Sequence, residues 1–443
     1  MIYNVEKETL GVREKEQLQL ERLKRTVQTV YEKVPYYKKK FEDSNIGPND
    51  INSLEDVKKL PFTKKQDLRD HYPFGLFAVE QKDIVRLHAS SGTSGKPTVV
   101  GYTKGDIKVF SEVVARSIAA AGGEPGQVLH NAYGYGLFTG GLGLHYGSEQ
   151  LGMATVPVSG GNTQRQILLI EDFKPQVICG TPSYILNIAE TMEKMGKDPR
   201  NTSLKYGIFG AEPWSEEMRQ TLEEKLNIKA VDIYGLSEII GPGVSIECHE
   251  AQDGLHIADD HFFAEVINPE TLQPLPDGEY GELVFTSLTK EAFPIIRYRT
   301  GDIAAINRGT CQCGRTSIRM TRVKGRIDDM LIIRGVNVFP SEIENCLLQL
   351  EEIVPHYQIQ LKRNGTMDQV VLQVEVSEKV FEECAQDLSH LMMEGLKSKI
   401  QHTIKTNCLV SIDVDIQKPN SVPRSEGKAV RVVDLRKEEA LQK

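Results

Sequence analysis

The sequence lacks features that would direct the chain to a membrane, out of the cell or onto a polyanion. No apolar run approaches the roughly 18 residues that a bilayer-spanning helix needs. The first residues, MIYNVEKETL, have no apolar signal core. Basic residues are in deficit: 53 Lys and Arg against 62 Asp and Glu leave a formal net charge of −9, which disfavours general binding to nucleic acid or anionic membranes. We expect a cytoplasmic protein with neither as a partner.

Cysteine is also scarce, and its seven copies in 443 residues are an odd number. So few thiols do not make a disulfide framework, and we expect them to be reduced. Those in apolar stretches are predicted to be small buried core residues: Cys179, Cys346, Cys384 and Cys408. The other three raise the question of a metal site.

The composition is that of a globular protein, with 40% hydrophobic and 26% charged residues. Apolar residues at helical spacing between Leu18 and Val34 predict an amphipathic helix. We expect its apolar stripe to be exposed, which would suit a homodimer. From about Leu60, β-rich runs such as VRLHA and PQVICGT alternate with helical stretches such as EEMRQTLEEKL. This alternation predicts α/β layers with buried, mostly parallel sheets.

The last third has the pattern of a separate small α+β domain that begins near residues 325–329. Ser341 and Glu344 have the spacing of a capping box, which predicts the start of a helix. Asn364-Gly365 between two alternating runs predicts a β-hairpin. A helical stripe and an alternating strand follow.

A loop rich in glycine and hydroxyl groups lies between two predicted strands. Its residues are Ser90, Ser91, Gly92, Thr93, Ser94, Gly95 and Lys96. Glycines let the backbone approach a ligand, hydroxyl and N–H groups can cradle phosphate oxygens, and the lysine adds a charge. Pro97 follows the lysine and the chain continues as a strand, so this is not a Walker A loop. The alternative is a hairpin loop without a ligand.

The loop resembles the phosphate-binding signature of the adenylate-forming superfamily, which includes acyl-CoA synthetases, firefly luciferase and peptide-synthetase adenylation domains. The superfamily's other signatures follow in order: GAEP at Gly210–Pro213, YGLSE at Tyr234–Glu238, YRTGD at Tyr298–Asp302, GRIDDM at Gly325–Met330 and PRSEGKAVR at Pro423–Arg431. Within the superfamily, DDMLIIRGVNVFPSEIE and the short length resemble the phenylacetate–CoA ligase subfamily.

The resemblance implies both a fold and a reaction. Residues 1–327 would form a large adenylate-forming domain of layered β-sheets and helices with the AMP site and the acyl pocket. Residues 328–443 would form a small mobile α+β domain that carries the catalytic lysine. The reaction would be ATP-dependent ligation of an acid to a thiol. In the first step an aryl carboxylate, with phenylacetate as the natural guess, would become an acyl-adenylate with release of pyrophosphate. The small domain would then rotate, and coenzyme A would attack the adenylate to give the acyl-CoA thioester and AMP.

The roles of single residues are likewise what the resemblance implies. Lys428 would be catalytic and would bridge the substrate carboxylate and the α-phosphate. Glu238 would act with it as the Mg²⁺ ligand, because that ion prefers hard oxygen ligands. Asp302 would accept hydrogen bonds from the two ribose hydroxyls. Arg326 would contact ribose or phosphate, or else form a surface ion pair between domains. The adenine would be bordered by Gly210, Ala211, Glu212, Tyr234, Gly235, Leu236 and Ser237.

The resemblance also implies residues for domain movement and for the thiol. Asp328 would be the hinge, and Arg334, Gly335 and Asn337 would face the coenzyme A channel. Two other functions stay open: an adenylating enzyme that acylates a carrier protein or another acceptor, and a regulatory nucleotide-binding protein without turnover. The presence of both the glutamate and the lysine argues against the last of these.

Residues 133–141 combine aromatic side chains with four glycines. Aromatic residues supply an apolar wall and glycines supply room for a flat ring, and in the resembling family this stretch lines the acyl pocket. The candidate pocket residues are Tyr135, Phe138, Gly140, Ala211 and Pro242. For Phe138 the alternative is close helix–sheet packing. The scarcity of charge here disfavours a dicarboxylate or an amino acid, and leaves benzoate, indole-acetate and medium-chain fatty acids as other possibilities.

The three remaining cysteines predict a structural zinc site. Structural Zn²⁺ binds four Cys or His ligands in a tetrahedron, and Cys248, His256, Cys311 and Cys313 would supply them. His249 competes with His256 because it directly follows Cys248. We prefer His256 because its neighbours HIAD predict a strand, which can fix a ring. Four reduced, unligated side chains are the alternative.

Overall fold

The computed structural model describes residues 1–90, 97–333, 336–364, 367–424 and 430–436. They pack into two compact units, each with its own hydrophobic core. The first unit contains residues 1–181, 201–211 and 227–323. The second contains residues 182–200, 212–226 and the described part of 324–443. The predicted α/β class is confirmed.

Helices and strands alternate through most of the chain. The helices are α1 (Val5–Glu8), α2 (Val12–Lys33), α3 (Pro35–Asp43), α4 (Lys65–Asp70), α5 (Lys104–Ala120), α6 (Thr139–Leu151), α7 (Thr163–Phe173), α8 (Pro182–Lys194), α9 (Glu216–Leu226), α10 (Pro340–Leu348), α11 (Glu378–Glu383) and α12 (Leu391–Cys408). Short 3-10 turns occur at Pro48–Asp50, Leu54–Lys59, Gln81–Asp83, Pro199–Asn201 and Ile327–Asp329.

The strands are β1 (Arg86–Ser90), β2 (Thr98–Tyr102), β3 (Val128–Asn131), β4 (Ala154–Val156), β5 (Val177–Gly180), β6 (Tyr206–Gly210), β7 (Lys229–Leu236), β8 (Gly241–Glu247), β9 (Leu255–Ile257), β10 (Phe262–Ile267), β11 (Gly281–Ser287), β12 (Tyr298–Ala304), β13 (Ile306–Asn307), β14 (Arg319–Met320), β15 (Gly325–Arg326), β16 (Leu331–Ile333), β17 (Val336–Val338), β18 (Ile353–Asn364), β19 (Met367–Val376), β20 (Asp413–Gln417) and β21 (Val432–Asp434).

The main sheet of the first unit has the strand order β13-β14-β9-β8-β7-β6-β5-β3-β4. Strands β4, β3, β5, β6 and β7 are parallel neighbours. The side chains of β5 are all buried, as expected for a parallel strand covered on both faces. From β7 onward the pairing is antiparallel. Ligands of α/β sheets bind outside the carboxyl ends of such parallel strands, where β6 and β7 deliver two of the predicted motifs.

Two smaller sets of strands complete the first unit. Strands β10, β11 and β12 pair antiparallel in that order, and β1 and β2 form an antiparallel hairpin. That hairpin leads into residues 91–96, so the predicted phosphate loop from Ser91 to Lys96 lies outside the described residues.

The apolar stripe of the N-terminal helix is covered by the chain's own core. Leu23, Val27 and Val30 on α2 are fully buried, and Lys15 donates a hydrogen bond to Asp259 at 3.0 Å. The expectation of an exposed stripe was wrong, because periodicity shows which face of a helix is apolar and not what covers it. The stripe therefore gives no reason to expect a homodimer.

The C-terminal sheet of the second unit has the order β20-β19-β18-β21. Strands β18 and β19 pair antiparallel from the Asn364 and Met367 partners onward, which confirms the predicted hairpin. The outer pairs β19–β20 and β18–β21 are parallel. Helix α12 buries Leu396, Ile400 and Ile404, as its stripe predicts.

The predicted capping box at the start of α10 was wrong. The helix begins at Pro340, and the backbone N–H of Phe339 donates to the Glu342 carboxylate at 2.9 Å. The Ser341 hydroxyl donates to the carbonyl of Lys324, and Glu344 pairs with Arg431 at 2.9 Å. The acidic residue two positions earlier thus takes the capping role, and Glu344 forms an ion pair inside the unit.

Candidate functional site

The two motifs predicted to hold a nucleoside meet through a side-chain hydrogen bond. The hydroxyl of Tyr234 on β7 donates to Oδ2 of Asp302 on β12 at 2.6 Å. The Tyr234 ring stacks against Phe285 of β11, with 6.2 Å between ring centroids. Asp302 is buried. A carboxylate that is held by a phenol and has two acceptor oxygens suits the recognition of paired hydroxyls.

A second contact joins the same two motifs. The hydroxyl of Tyr298 lies 3.3 Å from Oε1 of Glu238, to which it donates. Tyr298 and Asp302 are four residues apart on β12, so their side chains share one face of the strand. Glu238 is 6% exposed. The structure thus brings a predicted ribose ligand and a predicted metal ligand to one strand face.

Around these side chains, neighbouring backbone segments approach each other so closely that they leave no room for a side chain at two glycines. A Cβ at Gly235 would lie 1.9 Å from the carbonyl oxygen of Gly241, and a Cβ at Gly210 would lie 2.1 Å from that of Ile233. Both positions therefore require glycine. Ala211, directly after β6, has a positive φ of 69°. Non-glycine residues in this region are uncommon and concentrate at functional sites.

The candidate acyl-pocket segment, residues 133–141, contacts the motif that contains Tyr234 and Glu238. The hydroxyl groups of Thr139 on α6 and Ser237 are 3.1 Å apart. Pro242 of β8 approaches the same helix, where a Cβ at Gly143 would lie 2.6 Å from its Cγ. The first turn of α6 includes Gly140, and Phe138 immediately precedes the helix and is half exposed.

Asn131 holds this segment in shape, although sequence reasoning missed it. Its side-chain amide donates to the Tyr135 hydroxyl at 2.9 Å and to the Gly141 carbonyl at 2.8 Å. Burial raises the pKa of Tyr135 to about 12, so its hydroxyl stays protonated and faces Nδ1 of His145 at 3.1 Å. A polar residue at the end of the apolar strand VLHN was the available signal, because buried amides bind specific partners.

The phosphate-loop hairpin also contacts this region. The hydroxyl of Tyr102 on β2 donates to the carbonyl of Ile240 at 2.8 Å, two residues after Glu238. Ser90 ends β1.

Several predicted residues belong to the second unit or fall outside the described residues. Glu212 accepts a hydrogen bond from the backbone N–H of Ser183 at 2.8 Å, near the start of α8. Arg326 lies on β15, and Asp328 is exposed in the 3-10 turn Ile327–Asp329. Outside the described residues lie Ser91, Gly92, Thr93, Ser94, Gly95, Lys96, Arg334, Gly335 and Lys428.

The four predicted zinc ligands form one cluster in the first unit. The donor atoms of Cys248, His256, Cys311 and Cys313 all lie within 4.8 Å of one another. The Cys248 and Cys311 sulfurs are 3.7 Å apart, and the Cys313 sulfur is 3.4 Å from Nε2 of His256. A Zn–S bond of about 2.3 Å places two thiolates of a tetrahedron about 3.8 Å apart. The cluster therefore fits the ion.

His256 rather than His249 belongs to this cluster. Strand β9 carries His256, and its Nδ1 lies 3.0 Å from the Ser317 hydroxyl, which can orient the ring. His249 instead contacts Glu250, with 3.4 Å between nitrogen and oxygen. Hydrogen bonds from Cys248 and His256 lower the pKa of the Cys313 thiol, so one thiolate is already favoured.

Comparisons with known proteins identify the family of this chain. Residues 10–289 match the family model of AMP-binding enzymes, and residues 335–436 match that of the AMP-binding enzyme C-terminal domain. The chain is 56% identical to the phenylacetate-coenzyme A ligase of Thermus thermophilus, over 99% of this chain and 100% of the relative. It is 52% identical to the Escherichia coli enzyme of the same name, over 97% of each.

Solved structures are similar as well. A 2-hydroxyisobutyryl-CoA ligase in its postadenylation state, in complex with 2-HIB-AMP, has a TM-score of 0.91 at 31% identity, covering 98% of this chain and 93% of that one. The same ligase with 2-HIB-AMP and CoA in its thioesterification state has a TM-score of 0.71, again at 31% identity, covering 98% and 94%. Among the described residues, no helix has the length and apolar character that crossing a bilayer demands.

Proposed function

Because the chain belongs to the AMP-binding enzyme family, within the phenylacetate–CoA ligase group, we propose that it activates phenylacetate with ATP and transfers the acyl group to coenzyme A. The observation that carries this proposal is the pair of contacts between two motifs, Tyr234 to Asp302 and Tyr298 to Glu238. They juxtapose a carboxylate suited to ribose and a carboxylate suited to a metal. The relatives named above support the substrate and the thiol.

The site's residues perform the first half-reaction mainly by positioning two anions. A carboxylate is a poor electrophile, and adenylation supplies AMP as its leaving group. Asp302 binds the ribose and thereby fixes the α-phosphate near the opening of α6. The acyl group lies against Tyr135, Phe138 and Pro242, with Gly140 giving room for the ring. Holding both reactants in one geometry supplies much of the rate.

We assign Glu238 to Mg²⁺. Its carboxylate is a hard oxygen donor, and its burial makes an ionic partner favourable. Bound Mg²⁺ would neutralise charge on the phosphates. Glu238→Gln removes that charge, so we expect pyrophosphate exchange to fall about 100-fold and its half-saturating Mg²⁺ concentration to rise. Glu265→Gln, at a buried glutamate paired with Arg297, is the control and should leave that concentration unchanged. An unchanged Mg²⁺ dependence in Glu238→Gln contradicts the assignment.

We assign Zn²⁺ to the Cys248, His256, Cys311 and Cys313 cluster. All four coordination positions come from the protein, so the ion would stabilise the loops and leave no position for a reactant. Metal analysis of protein purified without added zinc should find close to one Zn per chain.

The roles assigned to the C-terminal region rest on the motifs and on the family. We propose that residues 1–327 form the adenylation domain and that residues 328–443 form a domain that turns about Asp328. It would present Lys428 to the α-phosphate, and then Arg334 and Gly335 to coenzyme A. The 2-hydroxyisobutyryl-CoA ligase, captured in postadenylation and thioesterification states, supports this sequence of events.

Carboxylate-dependent exchange of labelled pyrophosphate into ATP tests the proposed function. We expect phenylacetate to be the best of a panel containing benzoate, indole-acetate, octanoate and 2-hydroxyisobutyrate. AMP release should depend on coenzyme A. Pyrophosphate exchange that another acid supports and phenylacetate does not would contradict phenylacetate as the substrate. AMP release that requires a carrier protein would contradict coenzyme A as the acceptor.

A further inference from the structure

One face of the β1–β2 hairpin carries polar atoms that have no hydrogen-bond partner among the residues that the structure describes. Arg86 lies opposite Tyr102, His88 opposite Val100, and Ser90 opposite Thr98. Cross-strand partners and alternate residues share a face. Four buried atoms in this neighbourhood have no hydrogen-bond partner among the described residues: Nη1 of Arg86, Nε2 of His88, Oγ1 of Thr98 and Nζ of Lys290.

Lys290 is the most unusual of these groups. It is 6% exposed, and Nζ lies over the Tyr102 ring, 3.3 Å from the centroid. The nearby acid Asp106 is occupied by other groups, because its carboxylate accepts from the backbone N–H groups of Thr103, Glu291 and Ala292. Burial lowers the pKa of the Lys290 ammonium to about 8. A buried ammonium is costly unless it is paired, and Nζ has no hydrogen-bond partner among the described residues, so this lysine is suited to a bound anion.

His88 belongs to the same cluster. Its ring packs edge-on against Tyr102, with centroids 5.5 Å apart, and its Nδ1–H donates to the Leu137 carbonyl at 2.9 Å. Burial lowers the pKa of His88, and the cationic Arg86 and Lys290 lower it further. Arg86 and Lys290 are therefore close enough to disfavour a proton on His88, and together they make this site positively charged. A bound dianion would reverse that effect and favour a proton on Nε2.

The location of the cluster indicates the kind of anion. In the sequence, residues 91–96, the predicted phosphate loop, lie between the two strands of this hairpin. Tyr102, which contacts both Lys290 and His88, also donates to the carbonyl of Ile240, two residues after the Mg²⁺ candidate Glu238. A polyphosphate bound to that metal would therefore lie near the cluster, and the lysine's flexible stem can carry its ammonium to a phosphate oxygen.

We propose that Lys290, with Arg86 and His88, binds the β- and γ-phosphates of ATP and stabilises them as they leave as pyrophosphate. The inference rests on the proposed adenylation. In that step a carboxylate oxygen bonds to the α-phosphorus. The bond from that phosphorus to the bridging oxygen breaks, and pyrophosphate leaves with the electron pair. Lys290 would stabilise the leaving charge and take no part in thioester formation.

The test is Lys290→Met in the full-length enzyme. We expect the KM for ATP in pyrophosphate exchange to rise about 10- to 100-fold, as for loss of a charge-assisted hydrogen bond. Thioester formation from presynthesised phenylacetyl-adenylate should stay within about 2-fold, because pyrophosphate has already left. The Tm should hold or rise, because an unpaired buried charge is removed. Lys290→Arg should recover part of the ATP affinity.

Lys15→Met is the matched control, because Lys15 is an equally buried lysine whose Nζ is paired with Asp259. It should lower the Tm and leave the KM for ATP unchanged. An unchanged KM in Lys290→Met, or equal loss of both half-reactions with a lower Tm, would overturn the proposal. Calorimetric binding of pyrophosphate separates this inference from the proposed function. Pyrophosphate binding that is lost in Lys290→Met supports the site even if no carboxylate drives pyrophosphate exchange. Pyrophosphate binding that is unchanged in Lys290→Met overturns the site.

Discussion

The Cys/His cluster yields a prediction whose size follows from its geometry. Cys311→Ser replaces one thiolate of the four with a hydroxyl that binds zinc poorly. The sulfur-to-sulfur distance of 3.7 Å between Cys248 and Cys311 is close to the edge of a zinc tetrahedron, so binding requires little rearrangement. A preformed site adds its binding free energy to the stability of the folded state.

The expected loss of stability can be estimated from linkage. With free zinc about 1,000-fold above its Kd, binding contributes about 4 kcal/mol to the free energy of unfolding. For 443 residues about 1 °C of Tm corresponds to each kcal/mol, so Cys311→Ser should lower the Tm by about 4 °C. Pyrophosphate exchange per folded molecule at 25 °C should stay within about 2-fold, since four protein ligands leave no open position for catalysis.

The assay combines metal analysis, thermal unfolding and exchange on the same preparations. Cys384→Ser is the matched control, because Cys384 is buried in the second unit and outside the cluster. It should keep about one zinc per chain, whereas Cys311→Ser should lose most of it. A wild-type protein without zinc refutes the site. A Cys311→Ser protein with full zinc content refutes the ligand assignment.

Three further predictions concern the reaction and the core. Lys428→Ala should abolish adenylate formation and leave thioester formation from presynthesised acyl-adenylate largely intact; equal loss in both single-turnover assays would contradict the assignment. Tyr234→Phe removes the 2.6 Å hydrogen bond to Asp302, worth about 1.5–3 kcal/mol, so the ATP KM in exchange should rise at least about 10-fold without a change in that for phenylacetate. Burial lowers the pKa of His130 to about 4, below its unfolded value, so its contribution to stability is complete above about pH 6.5 and is lost as pH falls towards 4, by about 3 kcal/mol. Urea unfolding at pH 7.5, 5.5 and 4.5 should show this slope in the wild type and a flatter one in His130→Gln; equal slopes would mean that other groups titrate there.

Much of the candidate site could be predicted because its motifs are local. A run such as Tyr234–Glu238 carries its residue types within five positions, and its order among other runs adds further specificity. The same holds for the hairpin at Asn364, where turn chemistry is encoded by adjacent residues. Predictions failed where a neighbour in space decided the outcome. Glu342 rather than Glu344 caps α10, because Glu344 has an ion-pair partner far along the chain.

In the metal cluster, the local sequence pattern and the tertiary structure agree on the histidine. Spacing along the chain left His249 and His256 both available. The pairing of β9 with β14 sets His256 opposite Arg319, close to the loop that holds Cys311 and Cys313. His249 follows Cys248 directly, and its ring turns to Glu250 instead. Adjacency to Cys248 favoured His249, whereas the strand predicted from HIAD favoured His256, and the structure agrees with the second argument.

By itself the sequence determined the residue chemistry and the order of the motifs: the signatures of an adenylate-forming ligase, the sulfur and imidazole ligands, and the periodicities of helix and strand. Only the tertiary structure decided which side chains meet. Tyr234 and Asp302 are 68 residues apart, and Lys290 stands in a short segment, TKEAF, with no motif around it. Burial, loss of solvent and the pairing of distant strands are properties of the packed chain. They make Lys290 a buried ammonium that has no hydrogen-bond partner in the described part of the chain, and they place the apolar stripe of the N-terminal helix in the core.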